Sequence, residues 1–352
     1  RPDPVGEWRL CDAVSEMKRI VRFDRIGGPE VLRIEDAAPE PPRPDEVLIA
    51  VAAFGLNNSE AQLRRGDYPM QAADFPSRIG RECTGTVVSV GDAVKAFRPG
   101  ERVSTIPAFD VKRNGVYGEW AVVPEAGVVL VPKGLDAPKA CAIWQQYLTA
   151  YGPLVLHADC GPEDVVLITA AASSVGLGAV QMAKARGSRV VATTRTPTKR
   201  DMLQAVGADR VVVLGQEELE PAVMEVSGGK GFTICMDPVA GPGLETLVAC
   251  AAREARIFLY GQLAGEATPL PLVEIMRRGV GVRGYTLWEI TLDAARRAAA
   301  IDYILRGVES GVLDPVIDRV MAFDEIVEAH RYLETGKQAG KIVIAVNGET
   351  HT

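Results

Sequence analysis

The chain has 352 residues, 24% of them charged, with a formal net charge of −7 at pH 7. A chain of this length can bury about three-quarters of its unfolded surface, enough for two cores. The acidic balance leaves no basic excess to neutralise nucleic-acid phosphates or an anionic membrane, and no apolar run reaches the roughly 20 residues of a spanning helix, so neither is expected as a partner.

Residues 1–16 show neither helical nor strand periodicity and read as a disordered extension, or translated upstream sequence, ahead of Met17. From there to Pro132 short β-rich runs are punctuated by Gly and Pro: Arg19–Phe23, Val47–Ala53, Thr84–Val90, Arg102–Ile106, Glu119–Val123 and Val128–Val131. This pattern predicts a compact β-barrel-type domain, with Pro39–Pro44 as a rigid turn between strands. After Ala140 strands alternate with helices: Val165–Thr169, Arg189–Thr193, Arg210–Val213, Phe232–Met236, Arg256–Gly261 and Val280–Tyr285 read as strands of a doubly wound parallel sheet. Leu292–Gly307 has helical spacing, and a helix Asp324–Thr335 and strand Ile342–Val346 close the chain. The expected domains are therefore 17–140 together with 316–352, and 141–315.

Residues 164–195, DVVLITAAASSVGLGAVQMAKARGSRVVATTR, carry the most information. Val165–Ile168 is too apolar for a half-exposed strand and suggests a parallel strand covered on both faces. The small turn that follows, with Ala172, Ser173, Ser174 and Val175, lets backbone N–H groups at a helix start approach a pyrophosphate, and Gly176 permits close helix–strand packing. Ala171 and Ser173 stand where a G-x-G-x-x-G fingerprint has its first two glycines, but the strand–turn–helix–strand context is the one that fingerprint requires. Thr194, Arg195 and Lys199 follow the second strand, where an NAD-specific site would place an acidic residue on the ribose hydroxyl. NADPH is therefore the expected cofactor, and Lys341 is a further candidate for its phosphate.

The six cysteines, Cys11, Cys83, Cys141, Cys160, Cys235 and Cys250, form no C-x-x-C pair and read as reduced, structural thiols. Of the histidines, His157, His330 and His351, none lies near a cysteine or paired acid at metal-ligand spacing, and none is given a catalytic part. With no basic-then-apolar leader at the N-terminus, a soluble, cytoplasmic protein without metal is expected.

Several motifs in one order then define a resemblance: GGPEVLRIED, VVSVGDAVKAFRPGERV at 87–103, YGEWAVVPE at 117–125, QYLTAYG at 146–152, AAASSVGLGAVQMAK, GADRVV at 207–212 and GKIVI at 340–344. Together they resemble the medium-chain dehydrogenase/reductase superfamily and, within it, the zinc-independent quinone oxidoreductase branch. The resemblance covers Met17 to about Val346. It implies an α/β protein in which a GroES-like β-domain precedes a Rossmann domain, with catalysis in the cleft between them. Zinc-bearing relatives draw ligands from the segment corresponding to Asn57–Glu60, from the position of Arg81 and from a later cysteine. Here the first two offer NNSE and an always-protonated guanidinium, and the four-cysteine lobe of a structural zinc is missing.

By the same resemblance Asn57 and Tyr68 border the nicotinamide, Gln62 replaces a tyrosine often found there, and Tyr147 and Thr149 lie beside it. Val239 and Gly261 are counted with the cofactor site. The competing readings are a turn residue for Asn57, a rim aromatic for Tyr68 and core packing for Tyr147. Arg81 is expected either to meet an anionic substrate or to pair with Glu82.

The leading expectation is hydride transfer from NADPH to an acceptor that is already electrophilic, a quinone or an α,β-unsaturated carbonyl compound. Two alternatives are an enoyl or thioester reductase of a biosynthetic pathway, and a nucleotide-binding protein without catalysis. The terminal strand Val280–Tyr285 would leave an unpaired edge, which predicts a homodimer; the competing reading is a monomer with Thr286–Ile290 and Trp288 over that edge.

Overall fold

The computed structural model describes residues 17–68 and 74–346. The expectation for residues 1–16 lies outside them. The chain divides into two compact units, Arg1–Trp144 with Ile317–Thr352, and Gln145–Val316. In chain order the first unit begins with strands β1 (Lys18–Phe23), β2 (Arg33–Ala37), β3 (Glu46–Gly55), β4 (Ser77–Arg78), β5 (Cys83–Val90), β6 (Arg102–Thr105), β7 (Trp120–Pro124) and β8 (Val128–Leu130). The second unit holds β9 (Val165–Ile168), β10 (Arg189–Thr194), β11 (Arg210–Val213), β12 (Phe232–Asp237), β13 (Ala251–Leu259) and β14 (Gly281–Gly284). The chain then returns to the first unit with β15 (Ile317–Ala322) and β16 (Lys341–Ala345).

In the first unit β15-β16-β3-β5-β6-β8 form a sheet in that order, with β7 paired to β3, and β2-β1-β4 form a smaller one. Val47, Ile49 and Val51 alternate along β3 and pack with Phe54, Val103, Phe323 and Ile344 in one buried cluster, as the two-residue period of a strand dictates. The region read as short β-rich runs also contains the helix Asn58–Arg65, which the sequence reading did not place. Its buried face is Glu60, Ala61, Leu63 and Arg64; two charged members hide the apolar stripe by which such a helix is read. β2, RIEDA, is mostly exposed and polar, so its sequence carried no strand signal.

The second unit's sheet runs β11-β10-β9-β12-β13-β14 with every pair parallel. This is the Rossmann order, in which the direction of strand addition reverses between the parallel neighbours β9 and β12 and leaves a crevice at their carboxyl ends. All four residues of β9 are buried, as a central strand covered on both faces requires. β13 begins at Ala251, earlier than its apolar run suggested, because its first residues include the polar Arg253 and Glu254. β14 is the terminal strand and is largely exposed, with only Val282 half-buried. Among the described residues no helix is long and apolar enough to cross a membrane.

Candidate functional sites

The crevice of the second unit is built from three turns. After β9 the chain passes through Ala170, at φ 46°, and enters the helix Ser174–Ala185. Ser173 caps that helix, its hydroxyl accepting from the Gly176 N–H at 3.1 Å. The Ser174 and Val175 N–H groups belong to the first turn, where a helix supplies no acceptor of its own, and the helix dipole favours an anion there. A Cβ on Gly176 would come within 2.6 Å of the Ala171 backbone, so only glycine lets the helix start this close to the turn. Turn and helix thus fit a pyrophosphate.

After β12, Asp237 is 1% exposed. Its Oδ1 accepts from the Val239 N–H at 3.1 Å and its Oδ2 from the Ala240 N–H at 2.8 Å. The third turn is laced to the second: Leu263 N–H donates to the Pro238 carbonyl at 2.9 Å and Ala264 N–H to that of Val239 at 3.0 Å. A Cβ on Gly261 would lie 2.6 Å from the Pro238 oxygen. Val239 and Gly261 therefore meet on one rim, and Asp237, which sequence reasoning passed over, organises it. The signal available for Asp237 was an acid ending an otherwise apolar strand.

At the end of β10, Thr194 is buried and receives the Thr196 N–H at 3.1 Å, while Arg195 is exposed. Lys199 lies half-buried in the short helical turn Pro197–Lys199. Thr149 donates its hydroxyl to the Gln145 carbonyl at 2.7 Å, one turn back in its own helix. Tyr147 is fully buried. Its hydroxyl donates to Gln181 Oε1 at 2.5 Å, Gln181 in turn binds Asp314, and burial pushes the phenol well above its ordinary range.

The first unit gathers a buried cluster of charge around the start of the helix Asn58–Arg65. Lys341, on β16, is fully buried; its ammonium donates to Glu82 and, at 2.7 Å, to Asn57 Oδ1. Asn57 Nδ2 donates to Glu82 Oε1 at 3.1 Å. Lys341 is thus ill placed to reach a cofactor phosphate, because it is fully buried and two of its three N–H donors are taken inside the first unit. Asn57 likewise uses both ends of its amide here and makes no side-chain cap on the helix it precedes.

Arg81 pairs not with Glu82 but with Glu60, Nη1 to Oε1 at 3.5 Å, and donates to Ser59 Oγ at 3.3 Å. The guanidinium lies over the Tyr68 ring, 4.8 Å from its centroid. Glu60 is fully buried and neither carboxyl oxygen has a hydrogen-bond partner. Burial raises its carboxyl above the usual range, partly countered by Arg81. Gln62 is half-buried on the same helix. Glu60 and Glu82 were missed as site residues, since carboxylates beside arginine read as ordinary surface pairs in sequence. Among the described residues no three His, Cys, Asp or Glu side chains gather as metal ligands.

Comparison with known proteins agrees with this architecture. Residues 43–133 match the family model of the alcohol dehydrogenase GroES-like domain and 174–302 that of zinc-binding dehydrogenases. The quinone oxidoreductase of Pseudomonas aeruginosa is 30% identical over 93% of this chain and 99% of its own length, and that of Homo sapiens 30% over 94% and 98%. A crystal structure of Escherichia coli quinone oxidoreductase complexed with NADPH superposes with TM-score 0.85 at 25% identity, covering 93% of this chain and 100% of the other. The chain belongs to the medium-chain dehydrogenase/reductase superfamily, in its quinone oxidoreductase-like branch.

Proposed function

We propose that this protein is an NADPH-dependent oxidoreductase that transfers a hydride, without zinc, to a quinone or an activated α,β-unsaturated carbonyl compound. The observation that carries zinc independence is the mutual pairing of the residues at the metal-ligand positions. Arg81 is matched by Glu60, and Asn57 by Glu82 and Lys341. A guanidinium cannot ligate zinc, and displacing it would leave Glu60 as an unpaired buried charge.

The nicotinamide, when bound, supplies the hydride. The N–H groups of Ser174 and Val175 would hold its pyrophosphate, and the Val239–Gly261 rim would border it. Thr194, Arg195 and Lys199 support a 2′-phosphate, because the end of β10 carries no acid to receive a ribose hydroxyl. The E. coli relative bound to NADPH points the same way. An acceptor already polarised by its own carbonyl needs orientation more than a Lewis acid.

The test is NADPH and NADH oxidation with a panel of quinones and enones before and after chelation, with metal analysis. Quinone or enone turnover that survives chelation is expected. Stoichiometric zinc, or activity lost on chelation and restored by zinc, overturns the mechanism; tight NADPH binding with no turnover on the panel leaves a nucleotide-binding protein. The exposed, terminal β14 supports a homodimer formed edge to edge. Light scattering at micromolar concentration decides, and a single-chain mass unchanged on concentration rules the dimer out.

A further inference from the structure

One carboxylate joins the two turns that face each other across the Rossmann crevice. Thr169, at the end of β9, donates its hydroxyl to Asp237 Oδ1, and its N–H donates to the Met236 carbonyl at 3.1 Å. Asp237 also holds the Val239 and Ala240 N–H groups. The residue after Thr169, Ala170, has φ 46°, and Ala240 has φ 56°. Both are in the left-handed region that L side chains rarely adopt, and such conformations persist only where the surroundings over-determine them. Asp237 is the shared anchor: it takes the hydroxyl beside one strained residue and the N–H of the other. It is also nearly fully buried, so water cannot replace these contacts cheaply.

We propose that Asp237 is a positioning residue for the nicotinamide half of the dinucleotide, acting through the Val239–Ala240 turn, and that Thr169 sets its orientation. This deepens the functional reading and rests on it. In a Rossmann sheet each half serves one mononucleotide. Asp237 ends the first strand of the second half and Thr169 the first strand of the first, so their hydrogen bond ties the two binding surfaces together. Asparagine at 237 keeps one acceptor but turns an N–H₂ toward a donor. Valine at 169 removes the hydroxyl at nearly constant shape, whereas serine keeps it.

The experiment measures binding to the full chain by calorimetry for wild type, Thr169→Val, Thr169→Ser and Asp237→Asn. The probes are NADPH and adenosine 2′,5′-bisphosphate, which carries only the adenosine side, or NADH and AMP if the wild type takes those. Thr169→Val and Asp237→Asn are expected to weaken the dinucleotide about tenfold while the fragment changes less than about twofold. Thr169→Ser should bind as wild type. Without nucleotide, amide exchange at Val239 and Ala240 should quicken in Asp237→Asn. Equal loss for dinucleotide and fragment would show a merely structural role, and unchanged dinucleotide binding would remove the role altogether; either result overturns the assignment. If Asp237→Asn does not fold, the two Thr169 variants decide. A wild-type chain that binds no nicotinamide nucleotide brings down the functional reading as well, whereas wild-type binding with unaltered variants brings down this assignment alone.

Discussion

Replacing Lys341 by methionine keeps the unbranched stem of the side chain and removes its ammonium. In the native chain both Lys341 and Glu82 are fully buried, and Lys341 donates to Glu82 and to Asn57. The variant leaves the Glu82 carboxylate in the interior with only the Asn57 N–H₂ as a partner from this network, and strands Asn57 Oδ1. Breaking a buried pair on one side costs about 3–5 kcal/mol. At about 2–4 °C per kcal/mol for a domain of this size, the midpoint should fall by about 6–20 °C. Because the pair's attraction is offset by desolvation, Lys341→Met with Glu82→Leu should recover at least half of the loss. Calorimetry, with urea unfolding followed through the buried Trp120 and Trp144, measures both. A Lys341→Met protein within about 1 kcal/mol of wild type would refute the argument, since it would mean that the network is solvated or already relaxed.

Arg195→Ala removes an exposed cation where the cofactor's 2′-phosphate is proposed to sit; NADPH should bind roughly tenfold to over a hundredfold more weakly by titration, with NADH binding and thermal stability unchanged. Gly176→Ala drives a Cβ to 2.6 Å from the Ala171 backbone, so it should cost about 1–3 kcal/mol in denaturant unfolding and abolish measurable nucleotide binding. His330 is fully buried with neither ring nitrogen hydrogen-bonded, and burial, with Arg64 adding to it, lowers its pKa to about 3. The unfolded chain therefore binds a proton that the folded one refuses as pH falls from about 6.5 to 3. Stability should drop through that window, and less steeply in His330→Leu; parallel pH profiles of the two proteins by urea unfolding would count against it.

The Rossmann half was readable because its strands announce themselves: Val165–Ile168 is too apolar for a half-exposed strand and suits a covered parallel sheet, and Gly176 follows at the spacing a helix start needs. Arg33–Ala37 and Ser77–Arg78 were not, since an edge strand and a two-residue strand carry no period. The candidate sites divide in the same way. Backbone-built parts, the turn before Ser174 and the end of β10, follow from local sequence. Partnerships between distant side chains do not. Nothing near Lys341 suggests Asn57 or Glu82, nor does anything near Asp237 suggest Thr169, because burial and not spacing decides which charges must find each other. Arg81 shows the limit most plainly, as its neighbour in sequence, Glu82, is taken by Lys341 and its partner is Glu60.

The bond between Glu82 and Lys341 spans 259 residues of chain. On a ribosome adding roughly 5–20 residues per second, Glu82 emerges about 13–50 s before the amine that neutralises it. Throughout that interval the nascent first unit holds an acid it cannot bury and lacks β16 from its main sheet, and until the last stretch before Lys341 it lacks β15 as well. The intervening unit, Gln145–Val316, meets no such delay, for all six of its strands are made within its own span. Synthesis therefore favours the inserted nucleotide-binding unit maturing first, with the surrounding unit sealed afterwards by its own last strand. A truncation that removes Lys341 should accordingly spare the one and leave the other open to proteases.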